Sequence, residues 1–231
     1  MKRSKLYRAR LAMVDRQTAL PLDESLKILK QMPVAKFDET VEISFRLGID
    51  PRQSDQIVRG AMVLPKGTGK TTFVAVVADG DAAQQAKDAG ADEVGFEDLV
   101  DRIRGGWLDF GVLIATPAAM KIVRTLGRTL GPRGLMPNPK TGTVTDNVGD
   151  AVSEAKAGRV EYRCDRGGCV HVPIGKLAFP FEDLLTNAEA VVHQVVRARP
   201  ASAKGIYVQS VTVCATMSPG VRVDVKSMAK A

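Results

Sequence analysis

The chain has 231 residues, 45% of them hydrophobic, enough to bury one large core or two modest ones, which excludes a chain disordered throughout. Lysine and arginine outnumber aspartate and glutamate by 33 to 26, and a pI of about 9.4 favours a polyanionic partner. Three cysteines and no window of about 18 uninterrupted apolar residues exclude a secreted disulfide scaffold and a helical membrane span.

The start, from Met1 to Arg10, is basic and lacks the apolar stretch of a signal peptide, so a cytoplasmic protein is expected. Over residues 22–32, Leu22, Leu26 and Leu29 recur at spacings of four and three behind Pro21, predicting a surface helix. Val41, Ile43, Phe45 and Leu47 then alternate with Glu42, Ser44 and Arg46, the period of a strand with one buried face. A second strand is expected over residues 57–64. Past Pro65-Lys66-Gly67-Thr68-Gly69-Lys70 the rhythm changes, because Phe73 to Ala78 is continuously apolar, as in a strand buried on both faces. Helices over 81–89, 96–104 and 117–130 alternate with strands over 93–95 and 110–115, which predicts a small parallel three-layer unit. After Gly158 the period of two returns, with a hairpin around Arg166-Gly167-Gly168, a long helix over 181–197 and final strands over 206–214 and 221–225. The last few residues read as a frayed tail.

The two ends of the chain are more alike than either is like the middle. The expected fold class is α/β with two domains: a split α/β domain from both termini, residues 1–66 plus 160–231, and an inserted Rossmann-like α/β/α domain, residues 67–159. Two crossings of one boundary make a natural hinge.

Gly67-Thr68-Gly69-Lys70-Thr71 invites a nucleotide-binding reading, which the spacing declines. A phosphate loop needs glycine five residues before Gly69, where Leu64 stands, and must follow a strand and open a helix, whereas this segment precedes a strand. Ala78-Asp79-Gly80-Asp81 lacks the glycine spacing of a dinucleotide site and puts carboxylates where pyrophosphate would sit. His171 and His193 lie on different elements without a nucleophile beside either; His193, in the apolar run Val191 to Val196, reads as structural, and no catalytic residue is assigned. Cys164 and Cys169 flank the turn Asp165-Arg166-Gly167-Gly168 and, with His171, resemble half a zinc site, but a second close ligand pair is missing and neither metal nor cofactor is expected. Helix-turn-helix and zinc-finger spacings are absent.

Between Asp109 and Asp146 there is no acidic residue. Lys121, Arg124 and Arg128 recur at spacings of three and four on one predicted helical face, and Arg133 and Lys140 carry the charge into a Gly/Pro loop. A merely solvated face would mix in carboxylates, so this is expected to be a secondary basic patch for phosphates. In the terminal domain, Lys36-Phe37-Asp38-Glu39-Thr40-Val41-Glu42 and Thr216-Met217-Ser218-Pro219 combine cations, apolar surface and hydroxyls, the three things RNA recognition needs.

These segments together resemble the ribosomal protein L-one family of the large subunit over nearly the whole chain. The resemblance rests on Ile122, Leu126-Gly127 and Leu130-Gly131-Pro132-Arg133-Gly134-Leu135-Met136-Pro137, with Phe37 to Glu42, Leu64 to Lys70 and Thr216-Met217 in matching order. It implies a split RNA-binding domain carrying a Rossmann-like insert. It also implies binding to the stalk helices of large-subunit rRNA, help in moving and releasing exit-site tRNA, and repression of the protein's own operon mRNA. Carried over, the RNA-binding positions are Lys36, Phe37, Thr40 and Glu42; Asp165, Arg166, Gly167 and His171; and Ser210, Thr216, Met217 and Ser218. Ser218 stands where the family has glycine, which implies a different turn there.

Overall fold

The computed structural model describes residues 3–225, so the expected frayed tail lies mostly outside the described residues. These residues divide into two compact units, one built from both ends of the chain, up to Gly69 and again from Val160, the other spanning Lys70–Arg159.

The first unit opens with α1 (Lys5–Ala12), capped where the Ser4 hydroxyl accepts from Tyr7 N–H at 3.1 Å. Its buried residue is Arg10, so no apolar stripe betrays it. In α2 (Leu22–Gln31), Leu26 and Leu29 are buried, Asp23 and Glu24 suit the positive end of the helix dipole, and extended Met32 before Pro33 ends the helix. Then come β1 (Thr40–Leu47) and the short β2 (Arg59–Val63).

The second unit contains β3 (Val74–Val77), α3 (Asp81–Asp88), β4 (Glu93–Gly95), α4 (Glu97–Arg104) and β5 (Val112–Ala115). The three strands are parallel in the order β4-β3-β5. Every side chain of β3 is buried: Ala75 and Val77 pack with Leu99, Ile103, Val123 and Leu130 on one face, Val74 and Val76 with Ala86, Val148 and Val152 on the other. That is the three-layer arrangement its continuous apolar run implies.

The helix predicted over 117–130 is broken into α5 (Met120–Val123), a 3₁₀ turn (Arg124–Leu126) and α6 (Gly127–Leu130). Thr125 turns its hydroxyl back onto the Ile122 carbonyl at 2.8 Å, and Gly127 follows at once, two features that weaken a continuous α-helix. The unit closes with a 3₁₀ turn (Pro139–Thr141) and α7 (Val148–Lys156).

The chain returns through β6 (Arg159–Arg163), which pairs with β2, then β7 (Cys169–Lys176), α8 (Phe181–Arg197), β8 (Val208–Ala215) and β9 (Val221–Val223). The main sheet has the order β7-β1-β8-β9, so β1 lies between two strands supplied by the distant end of the chain. Val41, Ile43, Phe45 and Leu47 join Val170, Val172, Ile174, Val211 and Val213 in a core covered by α2 and α8. A bulge between Val41 and Glu42 faces Gly175, whose φ of 148° and closeness to Phe179 and Leu184 leave little room for a Cβ.

His193 lies on the exposed side of α8, although its apolar neighbours suggested otherwise, because Val191, Val192 and Val195 take the inward positions. Cys164 packs in the core while Cys169 lies on the outer face of the main sheet, so the two do not face each other; nor is the predicted hairpin formed, because β6 pairs with β2 and β7 with β1 in separate sheets. Gly67 to Gly69 stay with the first unit: buried Asn187 accepts from Lys66 N–H at 3.0 Å and donates to the Gly67 carbonyl at 3.1 Å and the Ile174 carbonyl at 2.8 Å. The glycine-rich stretch runs on into β3, with no helix N-terminus to hold a phosphate.

Candidate nucleic-acid interface

Because alternate side chains of a strand point to opposite faces, burying Val41, Ile43, Phe45 and Leu47 leaves Thr40, Glu42, Ser44 and Arg46 on the outer face of the main sheet. Register then assembles rows across the strands. Arg46 lies between Cys169 and Ser210, Ser44 between His171 and Thr212, with Arg222 beyond, and Glu42 between Pro173 and Cys214. From Thr40 to Arg46 this face runs about 20 Å at the usual strand rise.

At one end, Lys36 and Phe37 stand in the loop before β1, with Phe37 52% exposed, and Met217 stands in the turn after β8, 55% exposed. Thr40 and Thr216 tie the two segments: Thr40 N–H donates to Thr216 Oγ1 at 3.1 Å, and Thr216 N–H to the Thr40 carbonyl at 3.1 Å. Lys176 Nζ donates to Thr40 Oγ1 at 3.2 Å and to the Asp38 carbonyl at 3.1 Å. Ser218 needs no left-handed backbone; its hydroxyl closes the turn by accepting from Ala215 N–H at 2.8 Å.

Beneath these groups Glu39 is fully buried. Its carboxylate accepts from both terminal guanidinium nitrogens of Arg10, from Ala35 N–H at 3.2 Å and from Met217 N–H at 2.9 Å. Burial pushes this carboxyl up, but the Arg10 hydrogen bonds, the two N–H groups and the Arg10 charge outweigh it and hold it below the ordinary value.

At the other end is the turn joining β6 to β7, where Asp165, Arg166 and Gly167 are exposed. Asp165 Oδ1 accepts from Cys169 N–H at 2.7 Å and Gly167 N–H at 2.8 Å, so one oxygen shapes the turn. The Cys169 bond lowers its pKa most; slight burial opposes, and the Gly167 bond and the nearby His171 add to the lowering. Between the ends, His171 Nδ1 and Ser44 Oγ are 2.9 Å apart and Ser210 is exposed. Burial, reinforced by the charge of Glu42, pushes the Cys214 thiol up to about 12, so it stays an S–H donor to Glu42 Oε1 at 3.4 Å.

The twelve positions predicted in this unit thus fall at the two ends of one sheet face or along it. Sequence reasoning left out Ser44, Arg46, Thr212 and Arg222, which share that face. Extending the period of two from Glu42 along β1, and across the register to β8 and β9, finds them. In the second unit Lys121, Arg124, Arg128, Arg133 and Lys140 are all exposed, and among the described residues none of them forms an ion pair. Val123, Leu126 and Leu130 take the inward positions, which turns Lys121, Arg124 and Arg128 to solvent.

Among the described residues no group of three or more His, Cys, Asp or Glu converges as a metal site would need, and no helix is long and apolar enough to cross a membrane. A sheet with one face sealed by helices and the other set with hydroxyls, an imidazole and cations defines a binding scaffold. The family described as the ribosomal protein L1p/L10e family matches residues 29–219. The large ribosomal subunit protein uL1 of Methylobacillus flagellatus is 56% identical over 226 residues, 98% of each chain. That of Phytoplasma australiense is 53% identical over 224 residues, 97% of this chain and 98% of its own. The chain belongs to the ribosomal protein L1p/L10e family, whose members are structural proteins of the ribosome and not enzymes.

Proposed function

We propose that the protein is a constituent of the large subunit of the cytoplasmic ribosome and grips the stalk helices of large-subunit rRNA on the outer face of its main sheet. Residues 1–66 plus 160–231 form the RNA-binding domain in this reading, and residues 67–159 the insert. The observation that carries it is the continuous outer surface from Phe37, Thr40 and Met217 through Glu42, Ser44 and His171 to Ser210 and the Asp165–Gly167 turn. Hydroxyls and a carboxylate suit ribose 2′-OH groups, Phe37 and Met217 offer flat apolar contact, and Lys36, Arg46, Arg166 and Arg222 suit phosphates.

Two finer roles rest on the same surfaces. The basic run of Lys121, Arg124, Arg128, Arg133 and Lys140 is assigned to exit-site tRNA, whose movement and release the protein assists. The sheet face is assigned a second RNA, the protein's own operon mRNA, folded like the stalk, whose translation it represses. The test is titration of a stalk transcript against the full chain at several salt concentrations. Affinity is expected to fall steeply with salt, and Phe37→Ala, which removes a half-exposed ring, to weaken binding by about 1–3 kcal/mol without changing stability. A flat salt response, or equal affinity for an unrelated hairpin, overturns the reading.

A further inference from the structure

We propose that the cleft between α1 and the Met217 turn is a subsite for one unpaired nucleobase of the RNA bound on the sheet; the proposal rests on the RNA-binding reading above. The cleft is an open one of about 300 Å³, lined by Arg3, Ser4, Leu6, Tyr7 and Met217. That is the lower end of the about 300–1,000 Å³ typical of small-ligand pockets, too small for a duplex and suited to a single flat ring.

The chemistry of the walls is that of a stacking platform. Tyr7 supplies an aromatic surface, Leu6 and Met217 supply apolar and polarisable contact, and the Arg3 guanidinium lies over the Tyr7 ring, 4.9 Å from its centre, so a base stacks on the guanidinium plane or takes that plane's place on the ring. Tyr7 OH accepts from Arg16 Nη2 at 3.0 Å, which restrains the ring. The first turn of α1 has no acidic residue, while Lys5 and Arg8 are exposed, so the entrance favours a polyanion over an acidic or neutral peptide.

The two walls are also joined from below. Arg10, on the same helix as Tyr7, holds Glu39, and Glu39 accepts from the N–H of Met217. The cleft is therefore built in advance of any ligand, which lowers the ordering needed on binding. Met217 is at once a wall of the cleft and the end of the sheet face, so RNA that reaches Thr216 must pass its mouth. A paired base is closed to such a platform, whereas a base in a loop or bulge can be splayed into it.

The test is an abasic scan. Stalk transcripts with one abasic nucleotide at each unpaired position in turn are titrated against the wild-type chain, Tyr7→Ala and Arg3→Ala. One abasic position is expected to weaken wild-type binding by about 5- to 150-fold, the worth of one stacked base. Tyr7→Ala should weaken binding of intact RNA by a similar factor and show little further loss with that same abasic RNA. Arg3→Ala, on the exposed start of the chain, should shrink the same penalty, and it serves where Tyr7→Ala does not fold. If no abasic position matters, if the losses add in full, or if both variants bind intact RNA as wild type does, the subsite is overturned while the sheet reading stands. A wild-type chain that ignores every stalk transcript overturns the sheet reading instead.

Discussion

Arg10 and Glu39, 29 residues apart, face each other as an ion pair whose side chains are 1% and 0% exposed. Arg10 Nε also donates to the Pro33 carbonyl at 2.7 Å, so one side chain of α1 fastens the loop before β1 and, through Glu39, the turn after β8. Removing either partner strands a charge in the interior. Arg10→Ala is expected to destabilise the fold by about 3–5 kcal/mol and to speed amide exchange at Met217, and Arg10→Lys to recover only part of the loss because it cannot reproduce the two-pronged contact. Urea unfolding checks this; an unchanged midpoint for Arg10→Ala contradicts it.

Acid should expose the same pair. The Glu39 carboxyl is lowered from its ordinary value of 4.5 in the folded protein, so its contribution to stability is complete above that pH and is lost as pH falls through the lower folded value. The stability gap between wild type and Glu39→Gln is therefore expected to be constant near neutrality and to close in acid. Unfolding free energies measured from pH 7 to pH 3 test it. A gap that persists at the acid end means the carboxylate charge is not what matters.

From a fully buried amide, Asn187 holds the glycine-rich stretch with two hydrogen bonds, at Lys66 and Gly67, and β7 with a third, at Ile174. Asn187→Ala leaves the Lys66 N–H and two carbonyls short of partners, an expected loss of about 1–3 kcal/mol, with faster proteolysis between residues 65 and 70. Asn187→Asp should be at least as harmful, because a carboxylate oxygen would face the carbonyls that now accept from an N–H. Limited proteolysis and thermal unfolding decide; wild-type behaviour in both variants rules out the anchor.

If the basic run of the second unit meets tRNA phosphates, Arg124→Gln with Arg128→Gln should weaken binding of deacylated tRNA and reduce the salt slope by roughly 1.5, the release of counterions from two phosphates. Stability should not move, since both side chains are exposed and make no ion pair among the described residues. An unaltered slope makes the run an ordinary solvated face.

How much of this was legible depended on whether the structural signal was apolar. The alternation of Val41, Ile43, Phe45 and Leu47 and the unbroken run of β3 marked a one-sided and a two-sided strand because burial itself writes those periods. α1 left no such trace, since the residue it buries is Arg10 and its partner lies beyond α2. α7 does carry Val148, Ala151, Val152 and Ala155 at helical spacing, but its small residues and the Gly149 within it mute the signal. In the candidate interface, Phe37, Met217 and Thr216 stand out as unusual turn residues. Ser44, Thr212 and Arg222 do not, because nothing local in a polar strand position says what its neighbours across the sheet will be.

The placement of β1 has a consequence for how the molecule comes into being. Its two hydrogen-bonding partners, β7 and β8, are synthesised more than a hundred residues later, after the whole insert has emerged. The insert can close its own small sheet as soon as its last helix is made, while β1 waits with both edges unsatisfied. A nascent chain thus acquires its guest before its host, and until β8 arrives the exposed edges of β1 are the segment most in need of shelter from other chains.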